Sequence, residues 1–183
     1  MCATMTEADQ IKIQHILISF DATPVQAQRS KEDAEKLANE IFASAQSSDD
    51  FSAMVVEHSD DPITPGDTSP GTYNLANHNQ EGEDFGAFIS ELNAEAEAKD
   101  KELRAKIEEG ELSVEAATKT MDDFIEELRA RSEAKQASVV HPRAAMVPAF
   151  GDVGFGLEIG AVGMAEFDTE KSPFGWHIIK RLA

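Results

Sequence analysis

Ile11-Lys12-Ile13-Gln14-His15-Ile16-Leu17-Ile18 is the stretch on which the fold turns. Its period-two spacing places Ile11, Ile13, His15 and Leu17 on one face of a strand, so an imidazole stands among core positions. The chain closes on a second stretch of this kind, Gly175-Trp176-His177-Ile178-Ile179-Lys180-Arg181, in which His177 and Ile179 share a face. Taken singly, a strand histidine is more often a hydrogen-bonded core residue than a reactive one. Two of them, at opposite ends of one chain, pose a sharper question.

Between these strands the helices announce themselves by spacing. Ser30 is a natural N-cap with Asp33 three residues on, and Ala34, Leu37, Ala38, Ile41, Phe42 and Ala45 follow at amphipathic intervals. A shorter helix opens at Asp49 or Asp50, carries Phe51, Met54 and Val55 inward, and runs out in His58-Ser59-Asp60-Asp61. Pro62 to Gly71 holds three prolines and two glycines, which predicts irregular structure there. Beyond His141-Pro142, Met146-Val147-Pro148-Ala149-Phe150 begins a short helical or turn segment. Leu157-Glu158-Ile159-Gly160 reads as a turn and Gly163 to Phe167 as a strand.

The middle of the chain differs in character. From Glu83 to Lys135 it is charged and helical: Phe85, Phe88, Ile89, Leu92, Ala96, Leu103 and Ile107 form one stripe, and Gly110 is a stop. Ser113 restarts a helix with Ala117, Met121, Phe124, Ile125 and Leu128 on one face. Two antiparallel helices joined by a short turn are expected.

The 183 residues are 41% hydrophobic and carry a net charge of −19, enough for a real core and hostile to nucleic acid and to anionic membrane surfaces. The acidity is not confined to the helical segment. Residues 76–144 contribute 17 acids and 9 bases, net −8, which leaves net −11 for the remainder. Cys2 is the single cysteine, so no internal disulfide framework forms. The start, Met1 to Gln10, lacks the basic and apolar segments of a signal peptide, and no eighteen apolar residues run together; a soluble, cytoplasmic protein is expected. His58, Asp60, Asp61 and His78 offer metal-ligating atoms, but their spacing matches no known cage, and neither metal nor cofactor is expected.

In its ordered pieces the sequence resembles the parvulin family of peptidyl-prolyl cis/trans isomerases. The pieces are Gln14-His15-Ile16-Leu17, Phe51 through His58-Ser59-Asp60-Asp61-Pro62, Met146-Val147-Pro148-Ala149-Phe150, Leu157-Glu158-Ile159-Gly160, and Phe174-Gly175-Trp176-His177-Ile178-Ile179-Lys180. The resemblance implies an α+β fold, a four-stranded antiparallel sheet wrapped by about four helices, with the helical hairpin inserted. The expected organisation is an N-terminal tail over 1–10, a discontinuous isomerase domain over 11–75 and 145–183, and an acidic hairpin over 76–144.

Carried over by position, the resemblance implies a catalytic group of His15, Asp61, His177 and Ser172, and a proline pocket of Leu75, Met146, Phe150 and Phe174. The family's usual Gly-Gly-Asp-Leu-Gly run is altered here to Gly71-Thr72-Tyr73-Asn74-Leu75, and Val147 stands where many members have glutamine. On spacing alone Met146 and Phe150 are ordinary core at i, i+4, and Asp60 is a turn cap.

The implied reaction is rotation about an X-Pro amide against a barrier of roughly 18–20 kcal/mol. No bond breaks, and a turnover of order 100 per second needs only about 5 kcal/mol of lowering. Met146, Phe150 and Leu75 would grip proline while oriented polar groups around Asp61 favour the twisted amide. The loop from Phe20 to Ser30 offers only Arg29 to a phosphate, so unphosphorylated X-Pro segments of peptides or unfolded proteins are the expected substrates. The competing class is a chaperone or scaffold that grips such clients with little turnover. In it the hairpin serves as a clasp or a surface for self-association.

Overall fold

In the computed structural model, which describes residues 7–63 and 69–183, the chain divides into two compact units, 1–82 with 140–183, and 83–139. The boundaries fall at 82/83 and 139/140, where the sequence placed them at 75/76 and 144/145. Cys2, and Pro65 with Gly66 of the proline-rich loop, lie outside the described residues.

The first unit is built on a sheet of five strands: β1 (Gln10–Ile18), β2 (Thr72–Ala76), β3 (Val140–Pro142), β4 (Val162–Ala165) and β5 (Trp176–Arg181), in the order β3-β2-β1-β5-β4. β1 lies between β2 and β5 and is buried on both faces. Ile11, Ile13, Ile16, Leu17 and Ile18 are all under 4% exposed, and this explains why its apolar run is nearly continuous.

The expected four-stranded antiparallel sheet is corrected on two counts, since there is a fifth strand and the sheet is mixed. β3 runs parallel to β2, pairing Asn74 with Val140 and Ala76 with Pro142. Three residues ending in a proline carry no strand signature, and proline, lacking an N–H, is tolerated at a sheet edge.

Helices α1 (Lys31–Ala45) and α2 (Phe51–His58) cover one face. Ser30 caps α1 by accepting from Asp33 N, and Ala34, Ala38, Ile41 and Ala45 are its buried stripe. Asp50 caps α2 in the same way through Ala53 N, 2.9 Å away. Such a cap stabilises a helix by about 1 kcal/mol. With Ile16, Ile18, Phe51, Val55, Trp176 and Ile178 they form one core.

Helices α3 (Phe85–Glu108) and α4 (Val114–Ser138) make up the second unit, so the one that covers the other face of the sheet is the last, α5 (Pro148–Gly156). Its Phe150 and Phe155 pack with Ile11, Ile13, Leu75, Ala165 and Ile179. Gly154 lies against Ile13 and Ile11 and lets the helix approach closely. Among the described residues the first unit therefore holds three α-helices and a 3-10 turn at Arg143–Ala145, where about four helices were expected.

Residues 7–9 of the expected tail are tied down. Glu7 bonds Asn77 and Arg143, and Asp9 accepts from Asn77 N.

In the second unit α3 and α4 pair antiparallel, joined by Arg131–Glu95 and Lys135–Glu83 ion pairs, with Leu92, Leu103, Ala117 and Leu128 buried. Gly110 takes φ +75 just after the end of α3, and Ser113 caps α4. Ile125, expected on the inner stripe, is 40% exposed. No described helix is long and apolar enough to cross a membrane.

Candidate active site

The α5 face of the sheet gathers the two histidines. In the β1/β5 register His15 lies opposite Ile179 and Leu17 opposite His177, so the imidazoles are diagonal neighbours on one face. Their rings stack at 5.4 Å with 23° between planes, and Nδ1 of His177 lies 3.3 Å from Nδ1 of His15. Both side chains are buried, at 5% and 3% exposure.

Asp61 arrives from the segment that follows α2. Leu17 N donates to Ser59 Oγ, Asp60 N donates to Leu17 O, and Ser19 N donates to Asp60 Oδ2. These bonds lay Ser59–Asp61 along the end of β1, and Oδ2 of Asp61 comes to 3.2 Å from Nε2 of His15. The hydrogen bond from His15 holds the Asp61 carboxyl below the usual carboxylate range, against the opposing effect of burial.

Proton bookkeeping gives this chain a direction. An ionised Asp61 only accepts, so Nε2 of His15 carries the hydrogen. The Nδ1–Nδ1 contact with His15 occupies one nitrogen of the His177 ring. The other, Nε2, is buried and has no partner. Burial first, and the neighbouring His15 second, push the His177 imidazole down to about 3, so it is neutral at ordinary pH.

The apolar half adjoins this relay. Phe150 stands edge-on to His15 at 5.0 Å and to His177 at 5.3 Å, while Met146 and Val147 pack half-buried against the same cluster. Leu75 is fully buried there as core. Pro148 at the first turn of α5 and the bond from Ala149 N to Lys171 O fix the helix start that carries Phe150.

Two expected members do not join the group by any described contact. The Ser172 hydroxyl donates to Gly175 O at 2.8 Å, so its one hydrogen is committed within its own turn. Phe174 is 37% exposed, outside both hydrophobic clusters, and its carbonyl accepts from Ser19 Oγ. The turn they form is held by Gly175 at φ +139, where a Cβ would collide with Ile18 O.

One residue and one pairing escaped the sequence. Tyr73, on β2 opposite Ile13, stands edge-on to His15 at 5.4 Å and to Phe150 at 5.9 Å. Its place two residues before Leu75, on the same strand face, was the available signal. Arg29 is engaged through NH1 and NH2 with Asp60 and donates to Ser19 O at 2.9 Å. No sequence pattern joins positions 31 residues apart.

Among the described residues no group of three or more His, Cys, Asp or Glu side chains is placed to hold a metal ion. A protein-family model, the PPIC-type PPIASE domain, matches residues 1–95. That span includes His15, Asp61, Tyr73 and Leu75; Met146, Phe150 and His177 lie beyond it. Neither the curated proteins nor the solved structures gave a match.

Proposed function

We propose, from the premise that the chain belongs to the PPIC-type peptidyl-prolyl cis/trans isomerase family of parvulin-type rotamases, that it isomerises X-Pro bonds of unphosphorylated protein segments without a covalent intermediate. The family supports peptidyl-prolyl isomerase activity and proline-containing peptides as substrates in general. The finer statements rest on the site.

The observation that carries them is the continuous chain Asp61–His15–His177 set against Phe150 and Met146. Twisting an amide breaks its resonance: the carbonyl oxygen loses negative charge and the nitrogen regains its lone pair. A fixed carboxylate near that oxygen disfavours the planar state more than the twisted one, and an apolar wall favours the less polar twisted state. Both effects lower the twisted transition state relative to the planar ground state, which is the condition for acceleration. Asp61 is a weak nucleophile, and the histidines serve to hold its charge and orientation.

Absence of phosphate recognition is supported by Arg29, whose guanidinium is already committed to Asp60. The test is a protease-free isomerisation assay on X-Pro tetrapeptides with Asp61→Ala and His177→Ala beside the wild type. Loss of at least about tenfold in kcat/KM is expected for Asp61→Ala, the scale of removing one electrostatic contact. Undiminished activity in that variant sinks the mechanism, and a strong preference for phosphoserine before proline sinks the substrate class.

A second reading, a client-binding scaffold, is favoured by one observation, the separate helical unit of residues 83–139. In that case clients bind with little turnover.

A further inference from the structure

Asp60 and Asp61 are neighbours in sequence with separate partners: Asp61 meets His15, and Asp60 meets Arg29. The guanidinium takes both Asp60 oxygens, NH1 bonding Oδ2 and NH2 bonding Oδ1 at 3.1 Å, the two-pronged fit of a planar fork to a carboxylate. The same NH1 donates to Ser19 O at 2.9 Å, and Ser19 N donates to Asp60 Oδ2 at 2.8 Å. Arg29, Asp60 and the Ser19 backbone thus close a ring just beyond β1. Side-chain exposures of 26% for Arg29 and 17% for Asp60 leave the pair partly withdrawn from water, so it is screened less than a surface pair.

We propose, resting on the isomerase reading above, that Arg29 and Asp60 are positioning residues: their pair pins the segment after α2 to the end of β1 and sets where the Asp61 carboxylate stands against His15.

The anchor is itself fixed. Asp21 N donates to Arg29 O at 3.0 Å and Arg29 N to Ala27 O at 2.9 Å, just before the Ser30 cap of α1. Ser19 is fully buried, and its hydroxyl donates to Phe174 O at 2.8 Å. On the segment itself, Asp60 N donates to Leu17 O at 2.8 Å, while Leu17 N and Asp61 N both donate to Ser59 Oγ, at 3.1 and 3.3 Å. Those bonds set the height of the segment along β1, but they all meet near one residue and leave it free to roll about them. The Arg29 fork grips the next side chain from a different element and removes the roll. Asp60 and Asp61 are joined by one planar peptide unit, so fixing the first side chain restrains the direction of the second. Placement matters at this site, because an ångström of error can cost a reaction up to about a hundredfold.

The test uses the full chain with Arg29→Met, which keeps the stem and removes the fork, and Asp60→Asn, which keeps an acceptor for Ser19 N and removes the charge. Each is made alone, together, and in an Asp61→Ala background. Two quantities are read: the imidazole 15N shifts of His15, and kcat and KM separately for an unphosphorylated X-Pro tetrapeptide. Arg29→Met should move the His15 Nε2 shift and lower kcat about fivefold, with KM held within about twofold. Asp60→Asn should do the same, and the double variant should fall no further than either single one. With Asp61→Ala already present, the same substitutions should change kcat by less than about twofold, since no carboxylate remains to be placed. If Arg29→Met leaves Asp60 without its partner and does not fold, the double variant, free of both charges, takes its place.

His15 shifts unmoved in Arg29→Met, or an undiminished kcat in an active enzyme, would overturn the positioning role. An equal loss with and without Asp61 would overturn it too, and would assign Arg29 to the substrate or to the fold. An inactive wild type whose His15 shifts move in the variants supports the positioning role and removes the isomerase reading instead.

Discussion

Acidification should destabilise the sheet unit through one imidazole. His177 is 5% exposed, its Nε2 has no partner, and burial pushes it from 6.5 down to about 3. A histidine depressed in the folded state contributes stability that is complete above its unfolded value and is lost as pH falls. Between 6.5 and about 3 the unfolded chain binds one proton that the folded chain refuses. The loss approaches about 1.4 kcal/mol per pH unit, so it is roughly 1 kcal/mol at pH 5.5 and roughly 3 kcal/mol at pH 4.5. Against a usual total of roughly 5–15 kcal/mol that is a large fraction.

Asp61 is depressed too, but from 3.8, so its contribution is lost only as pH falls below that value. The measurement is urea unfolding at pH 7.5, 6.5, 5.5 and 4.5, followed by the fluorescence of Trp176, the single tryptophan. It neighbours His177 on β5, is 4% exposed, and reports on the sheet unit alone. His177→Leu is the control, because it removes this titration and leaves the other four histidines. The wild type should lose roughly 3 kcal/mol more than the variant between pH 7.5 and 4.5. A difference that stays flat across that range refutes a buried, neutral His177.

Further outcomes are expected elsewhere. Arg143, 9% exposed, donates to Glu7, Asn77 and Asp152 and lies over the Phe155 ring at 4.6 Å. Because both carboxylates stay solvated, Arg143→Met should cost about 1–3 kcal/mol in thermal melts, less than the 3–5 of a fully buried broken pair. Gly175→Ala should cost about 3 kcal/mol or more, since its Cβ would collide with Ile18 O at φ +139. Gly156→Ala, at the end of α5 with nothing within 4 Å, should be neutral or gain up to about 1 kcal/mol. Opposite signs for the two glycines are the check. Replacing 83–139 by a short linker should leave tetrapeptide isomerisation intact and abolish client or self-association, read by assay and by sedimentation. Loss of both activities would refute a separable helical unit.

What the sequence revealed, it revealed through periodicity and caps. The β1 and β5 alternations, Ser30, Asp50 and Ser113 as caps, and Gly110 as a stop are local signals, and each appears where the chain places it. His15, His177 and Asp61 were legible because two strands and one post-helical segment each carried a recognisable piece, and the structure brings them within 3.3 Å of one another in series. β3 was not legible, because three residues have no period. Nor was the environment of Ser172, whose hydroxyl could turn toward the site or toward its own turn, a choice made by the Gly175 geometry. Tyr73 and the Arg29–Asp60 pair are contacts between distant positions, and a single sequence carries no record of them.

The position of the insertion has its own physical logic. It interrupts the chain between β2 and β3, and β3 then returns to pair with β2 in parallel, which requires a crossover of a dozen residues or more in any case. A disordered crossover of 57 residues would add to the entropic cost of closing the β2–β3 pairing. Here the connection is ordered into two antiparallel helices, and the Lys135–Glu83 pair at 2.7 Å holds its two ends together. The connection is therefore closed at its own base, whatever the length of its helices. Lengthening both helices by matched turns should leave the sheet's stability unchanged, whereas Lys135→Ala should loosen the base first; amide exchange of β3 against β5 would show which occurs.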